Sequence, residues 1–298
     1  MVGTRSNKES KNGSSKKGRS KRQDKTTKKT LASRCSPKCV ALIMENLKEE
    51  KDGKKLSEVE DMGFGFLKHI PKWLVNQKMM VALAKSYDRD THSLNVGTRK
   101  IRIKVETAAR CFGLPNHGQS FKIAEENELF ESLKIHSQCS LTESVKSCTI
   151  ESEEDMINFR RYFILLICKC FFFPSPRPTI LEKHINAVID VSDPMKIYWA
   201  HYIYDDIIKE AEEFQNKGKK TIDGCMCALL IIYLMSNLHG DLETYSGEEP
   251  WVKDWTVKVI REKVKEEAKS PSGLLNYVWR TPTNNNNDGK KRMDITSA

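Results

Sequence analysis

Ile101-Arg102-Ile103-Lys104-Val105-Glu106-Thr107-Ala108-Ala109-Arg110-Cys111-Phe112-Gly113-Leu114-Pro115-Asn116-His117-Gly118 is the stretch on which the fold turns. Ile101, Ile103 and Val105 alternate with Arg102 and Lys104, the two-residue period of a strand with one buried face. Ala108, Ala109 and Phe112 follow at helical spacing, so a helix over 106–112 is predicted. Gly113 supplies a left-handed residue to close it, and Pro115 forbids its continuation. These residues define a framework and carry no reaction.

Upstream, Leu94 and Val96 alternate and residues 97–100 turn the chain, which predicts a β-hairpin feeding the short helix. A lone hairpin is too small to be stable, so it must pack on helices. Further out, helical patterns dominate. Ser36-Pro37 reads as a cap and first helical residue, ahead of a stripe of Val40, Ile43, Met44 and Leu47. A charged loop is expected over 48–55, a short helix over 56–66 broken at Gly63 and Gly65, and a helix over 73–87 with Leu74 among its apolar positions. Segments 125–135, 141–148 and 180–189 read as short helices. Residues 153–173 form a long one, acidic at its start and apolar on nearly every face from Tyr162, which means central burial. Residues 195–216 are amphipathic, 223–238 are buried and 251–269 are charged outside with Trp255, Val259 and Val264 inward. The expected fold is mainly α: one multi-helix domain over 34–275 with one small hairpin, between a basic tail (1–33) and a C-terminal tail (276–298), both without apolar patterning and expected to be disordered.

The net charge of +10 sits in the leader. Residues 1–30 carry eleven Lys or Arg against Glu9 and Asp24, and the remainder holds 39 basic and 38 acidic groups. Lys16-Lys17, Lys21-Arg22 and Lys28-Lys29 read as a split nuclear-import signal, which also gives the leader a loose, salt-sensitive attraction to nucleic-acid phosphates. Lys290-Lys291-Arg292 is a weaker cluster of the same kind. The apolar runs fall short of the roughly 20 residues a bilayer requires, so no membrane partner is expected. The N-terminus lacks the apolar core of a signal peptide, and the nine scattered cysteines fit free thiols in a reducing compartment.

Candidate chemistry is sparse. Cys168 with Cys170, and Cys225 with Cys227, stand two apart on helices and point apart, so neither pair grips an ion; core packing is the reading, with no metal site. Gly218-Lys219-Lys220-Thr221 lacks the earlier glycine and the preceding strand of a phosphate loop. His201 and Asp205 lie one turn apart and read as a solvated ion pair, since no nucleophile is tied to them. Trp199, Trp251, Trp255 and Trp279 sit at core spacing or helix ends. No catalytic, cofactor-binding or small-molecule site is predicted.

Four blocks, in order, resemble the plant mobile domain family, often labelled aminotransferase-like. They are Ile101-Arg102-Ile103 running to Gly113-Leu114-Pro115 and Gly118; Phe159-Arg160-Arg161-Tyr162-Phe163-Ile164 running to Phe173-Pro174; Tyr198-Trp199-Ala200-His201; and Ile222-Asp223-Gly224-Cys225 with the apolar run after it. The resemblance spans about residues 34–275. The chain is also similar to the domain preceding Ulp1-type proteases in plant transposons, and no such protease domain is read in it. The resemblance implies a non-catalytic nuclear protein of transposon origin that acts through nuclear protein partners in silencing or genome maintenance. The alternative is a DNA- or RNA-binding remnant of a transposon protein. The aminotransferase label finds no lysine context or glycine-rich phosphate cup here. Lys104 stands where the family places Thr or Ser as helix cap, which predicts a helix start weaker by about 1 kcal/mol unless another group caps it.

Overall fold

The computed structural model describes residues 32–74, 76–217, 219, 221–270 and 273–276. It begins with β1 (Ala32–Ser33), parallel to Thr221–Ile222, so the last two residues assigned to the basic tail belong to a strand. Ser36 caps α1 (Pro37–Glu49): its Oγ accepts from the Cys39 N–H at 3.2 Å, and the apolar stripe is buried. α2 (Lys54–Asp61) starts inside the expected charged loop and gives way to a 3-10 turn at Gly65–His69. α3 (Gln77–Ser86) begins later than the sequence pattern predicts, because Asn76 Oδ1 accepts from the Met79 N–H at 3.1 Å and sets the start there. Trp73 is buried ahead of the helix, whereas Leu74 is 73% exposed and belongs to no stripe.

The expected hairpin is a three-stranded antiparallel sheet: β2 (Tyr87–Asp88), β3 (Ser93–Val96) and β4 (Arg99–Arg102), in that order. Tyr87 pairs with Leu94, and Leu94 with Ile101, so one buried face runs across all three strands. Gly97, at φ 61°, opens the tight β3–β4 turn. The ladder stops at Arg102; the Ile103 N–H donates instead to the His92 carbonyl at 2.9 Å. α4 (Val105–Phe112) therefore takes Val105 as its first residue, and Gly113, at φ 63°, closes it. At its start Thr107 Oγ1 accepts from the Lys104 N–H at 3.0 Å. That satisfies the N–H of the cap residue but none of the helix amides a Thr or Ser side chain would reach, so the cost of lysine there is only partly offset.

α5 (Glu128–Lys134) and α6 (Gln138–Ser147) are capped by Asn127 and Ser137, and α6 packs along α7 (Glu153–Ile167). The long apolar helix does not run unbroken to Phe173: residues 168–172 form a π turn. The wider turn brings Phe171 and Phe172 into the core together, with Phe172 5.7 Å from Trp199 and 6.2 Å from Phe112. Lys169, within this apolar run, folds its Nζ back onto Ser175 Oγ (3.0 Å) and the Thr179 carbonyl (2.9 Å), closing the proline-rich loop. Arg160, from the second resembling block, donates to the Val191 and Ser192 carbonyls at 3.0 Å and pairs with Glu58 on α2.

α8 (Glu182–Asn186) is short and carries His184, fully buried. Its Nδ1 accepts from the Leu181 N–H (3.1 Å), so Nε2 holds the proton donated to the Phe173 carbonyl (2.8 Å). Burial holds its pKa down to about 3, and the ring stays neutral. α9 (Trp199–Lys217) packs against α3 and α4; β5 (Thr221–Ile222) completes the pair with β1. α10 (Met226–His239) is buried on all sides over most of its length and also packs on α4. A 3-10 turn at Trp251–Asp254 and α11 (Val257–Lys269) follow, so the charged segment is two elements. Arg110 on α4 lies 4.5 Å over the Trp251 ring, pairs with Glu249 at 2.8 Å and donates to the Leu242 carbonyl at 3.1 Å, holding this segment to the helix. The fold is mainly α with one small antiparallel sheet, as expected.

Candidate functional site

Gly118, Trp199 and Gly224, singled out in the sequence, gather at α9 and its start. Gly118 has φ 154°, and a Cβ there would stand 2.5 Å from the Lys196 carbonyl. Its neighbour Gln119 donates to that carbonyl at 2.7 Å and accepts from the Tyr198 N–H at 3.0 Å. This short parallel bridge delivers the chain across the start of α9, where Trp199 is fully buried with Nε1 donating to the Pro194 carbonyl at 2.8 Å. Gly224, at φ 77°, sits where a Cβ would stand 3.3 Å from the Asp206 carbonyl, again on α9. Gly113 approaches Pro250, and Leu114 is buried after it; Pro115 is half-buried. All six residues act on the framework.

The same bridge builds a groove. Beyond Gln119, Phe121 stacks on Tyr202 with centroids 3.8 Å apart and planes 15° apart. Its N–H donates to the Tyr202 hydroxyl at 2.9 Å, and its ring meets Trp199 edge-on at 5.3 Å. Asn186 Oδ1 accepts from the Ala124 N–H at 2.8 Å, fixing the strand of chain between them. Phe121, Phe173 and Tyr202 line an open groove of about 300 Å³, rimmed by Lys183, Asp205, Asp206 and Lys209. Ile123 stands at its edge, 79% exposed. Lys183 pairs with Asp206 Oδ1 and lies 5.5 Å from the centre of the Phe173 ring. Asp206 Oδ2 is buried without a hydrogen-bond partner among the described residues. Burial raises the Asp206 pKa, and Lys183 opposes that shift without cancelling it. The groove thus offers aromatic surface with two lysines and two aspartates at its rim, the chemistry that takes an apolar side chain beside a charged group.

Behind the groove lies a second buried set of charges. Asp223 is 2% exposed, with Arg34 Nε 3.4 Å from Oδ1. Glu210 pairs with Lys219 at 2.8 Å, and Lys219 also binds Glu213. Burial, then the neighbouring Glu210, pushes the Asp223 carboxyl up to about 6 from an ordinary value of 3.8. A carboxyl whose pKa is raised on folding contributes most below its unfolded value, and that contribution is lost as pH rises through the folded value. The stability of the natural chain minus that of Asp223→Asn is therefore expected to fall between pH 4 and 6 and stay level above, by urea unfolding. A difference that is flat or rises over that window would refute the assignment.

The groove falls within the part of the chain that a known family covers. Residues 33–230 match the family described as domain of unknown function DUF8566. The chain belongs to the DUF8566 family. No curated protein matches it, and no solved structure matches it. The DUF8566 match runs from Ser33, the end of β1, through the first residues of α10, hence it takes in Gly113, Gly118, Trp199, Gly224 and every residue lining the groove. A second, basic cleft draws on residues beyond the match. Arg99, Lys100, Arg102 and Lys104 line about 460 Å³ opposite Asp241 and Glu243. Lys104 and Arg102 pair with Glu243 at 2.8 and 3.8 Å, and Lys100 with Asp88 at 3.5 Å, while Arg99 donates to the neutral Asn237 Oδ1 at 2.6 Å, so three of these four cations have a carboxylate partner.

The remaining sequence candidates stand apart. Lys16, Lys17, Lys21, Arg22, Lys28 and Lys29 lie outside the described residues, as do Trp279 and the Lys290–Arg292 cluster. His201 Nε2 and Asp205 form the one-turn pair at 3.1 Å, both about half exposed, with the imidazole stacked on Tyr198. Gly218 and Lys220 are also outside, and Lys219 is held by two glutamates. Among the described residues no helix is long and apolar enough to cross a membrane, and no group of His, Cys, Asp or Glu is placed to hold a metal ion. Sequence reading missed the groove: Phe121 and Ile123 stand in a polar stretch with no periodicity, and Asp206 shows there only as the neighbour of Asp205.

Proposed function

We propose that the chain is a non-catalytic nuclear protein of the plant mobile domain type and transposon origin, a protein-interaction module serving transposon or gene silencing or genome maintenance. The observation that carries the reading is the aromatic groove over α9 in a body whose charges nearly cancel. Half-exposed stacked rings with a charged rim suit a peptide segment with an apolar side chain and a nearby charged group. The resembling blocks and the basic leader support the family and the nuclear address.

Ile123→Asp tests the groove with little risk to the fold, because the side chain is 79% exposed. Affinity purification of the full chain from plant nuclei is expected to lose a defined subset of partners in this variant. An unchanged partner set would refute the groove as the docking site. Exchanging the six leader residues for Gln in a fluorescently tagged full chain is expected to leave it in the cytoplasm; retained nuclear accumulation would count against the import reading.

The alternative, direct nucleic-acid binding by the folded body, is favoured by the cleft along β4. Its exposed ion pairs are worth little individually and could exchange carboxylates for phosphates.

A further inference from the structure

β4 is an end strand of its sheet, and the turn before it fixes which way its backbone groups point. Val96 pairs with Arg99 across the two-residue turn, so that pair exchanges both ladder bonds, and by alternation so does Leu94 with Ile101. The Ile103 N–H, donating to the His92 carbonyl at 2.9 Å, keeps the same alternation. The N–H and C=O of Lys100 and Arg102 therefore point away from β3. Among the described residues these four groups make no backbone hydrogen bond. The next outward N–H, that of Lys104, is taken by Thr107 Oγ1. The open edge is thus two donors and two acceptors, bounded by the turn and by α4.

The cleft of about 460 Å³ runs along this edge, because no residue of β2 or β3 lines it. Its far wall is the chain after α10, residues 240–243, with Leu242 buried. Ile101 is buried on one face of β4, while Lys100 and Arg102 are exposed on the other. Glu243 already sets a carboxylate against Lys104 and Arg102, at 2.8 and 3.8 Å. All three side chains are exposed, so this latch across the cleft opens at little cost.

We propose that the free edge of β4 docks an extended acidic segment of a partner protein, which joins the sheet as a further strand. The partner residues opposite Lys100 and Arg102 are Asp or Glu, and they take the place of Glu243. The residue between them, opposite Ile101, is apolar and lies on the side of Ile101 and Leu242. Basic side chains on an edge strand ordinarily keep other strands off; here the same charges select an acidic one. The backbone of duplex DNA fits less well. It offers acceptors alone, which leaves the Lys100 and Arg102 carbonyls unpaired, and Asp241 and Glu243 repel its phosphates. The inference rests on neither the aromatic groove nor the nuclear reading.

The test follows the fluorescence anisotropy of a labelled, end-capped Glu-Val-Glu-Val-Glu peptide added to the full chain. Lys16, Lys17, Lys21, Arg22, Lys28 and Lys29 are exchanged for Gln to reduce binding by the leader. Binding is expected. N-methylation of the glutamate amides, which face β4 in this register, should weaken it about tenfold or more, and N-methylation of the valine amides should not. Lys100→Glu combined with Arg102→Glu should abolish binding of this peptide and confer binding of Lys-Val-Lys-Val-Lys. If that double variant fails to fold by circular dichroism, the two methylated peptides decide on the unaltered cleft. Absence of binding, no difference between the two methylated peptides, or duplex-DNA binding that the two charge reversals remove would overturn the proposal.

Discussion

Trp199→Ala is expected to destabilise the protein by about 3–5 kcal/mol, read as a lower urea midpoint with an unchanged slope. The side chain is fully buried, and Phe64, Phe121 and Phe172 surround its ring at 5.3 to 5.7 Å. Truncation leaves a cavity that three rigid rings cannot collapse to fill, so the cost belongs at the upper end of core deletions. It also orphans the Pro194 carbonyl, which accepts from Nε1. Trp199→Phe separates the two terms: it restores most of the volume but not the donor, and should cost about 1–3 kcal/mol. A loss below 1 kcal/mol for the alanine variant would mean that Trp199 is not the keystone described.

Gly118→Ala comes next in size, at about 2–4 kcal/mol. The added carbon would meet the Lys196 carbonyl at 2.5 Å and the Tyr198 nitrogen at 2.9 Å, backbone atoms that also carry the bridge to Gln119. A φ of 154° further disfavours any side chain. Because relief requires the bridge to open, Phe121 should lose its seat on Tyr202, visible as loosened aromatic side-chain signals by NMR. Gly53→Ala is the control: it shares a positive φ but has open space around it, so it should cost only about 1 kcal/mol. Equal losses at the two glycines would show that conformation alone, without the close approach, explains Gly118.

The regular elements were legible because their signals are local. Ser36-Pro37, Gly113 and the buried stripes of α1 and α9 follow from capping chemistry and period, and the structure keeps them. What local pattern could not supply is contact between distant segments. Tyr87–Asp88 reads as a helix end and a turn, yet it becomes a strand because Leu94 and Ile101 already offer an apolar face to extend. The π turn hides within an apolar run that any helix would accommodate. The groove joins residues 81 positions apart, and no spacing rule betrays it. Lys104 shows the converse: its poor capping chemistry was visible, while the compensating Thr107 oxygen emerged only from geometry.

The most direct test of a neutral recognising body with a basic leader is duplex-DNA binding by the full chain across salt concentrations. It compares the natural sequence with one in which Lys16, Lys17, Lys21, Arg22, Lys28 and Lys29 are all Gln. Weak, sequence-indifferent binding is expected for the natural chain, and the slope of log affinity against log salt should shrink by up to about 5 in the variant. Unchanged affinity, or a preference for particular sequences that survives the six substitutions, would contradict it and move recognition to the cleft along β4.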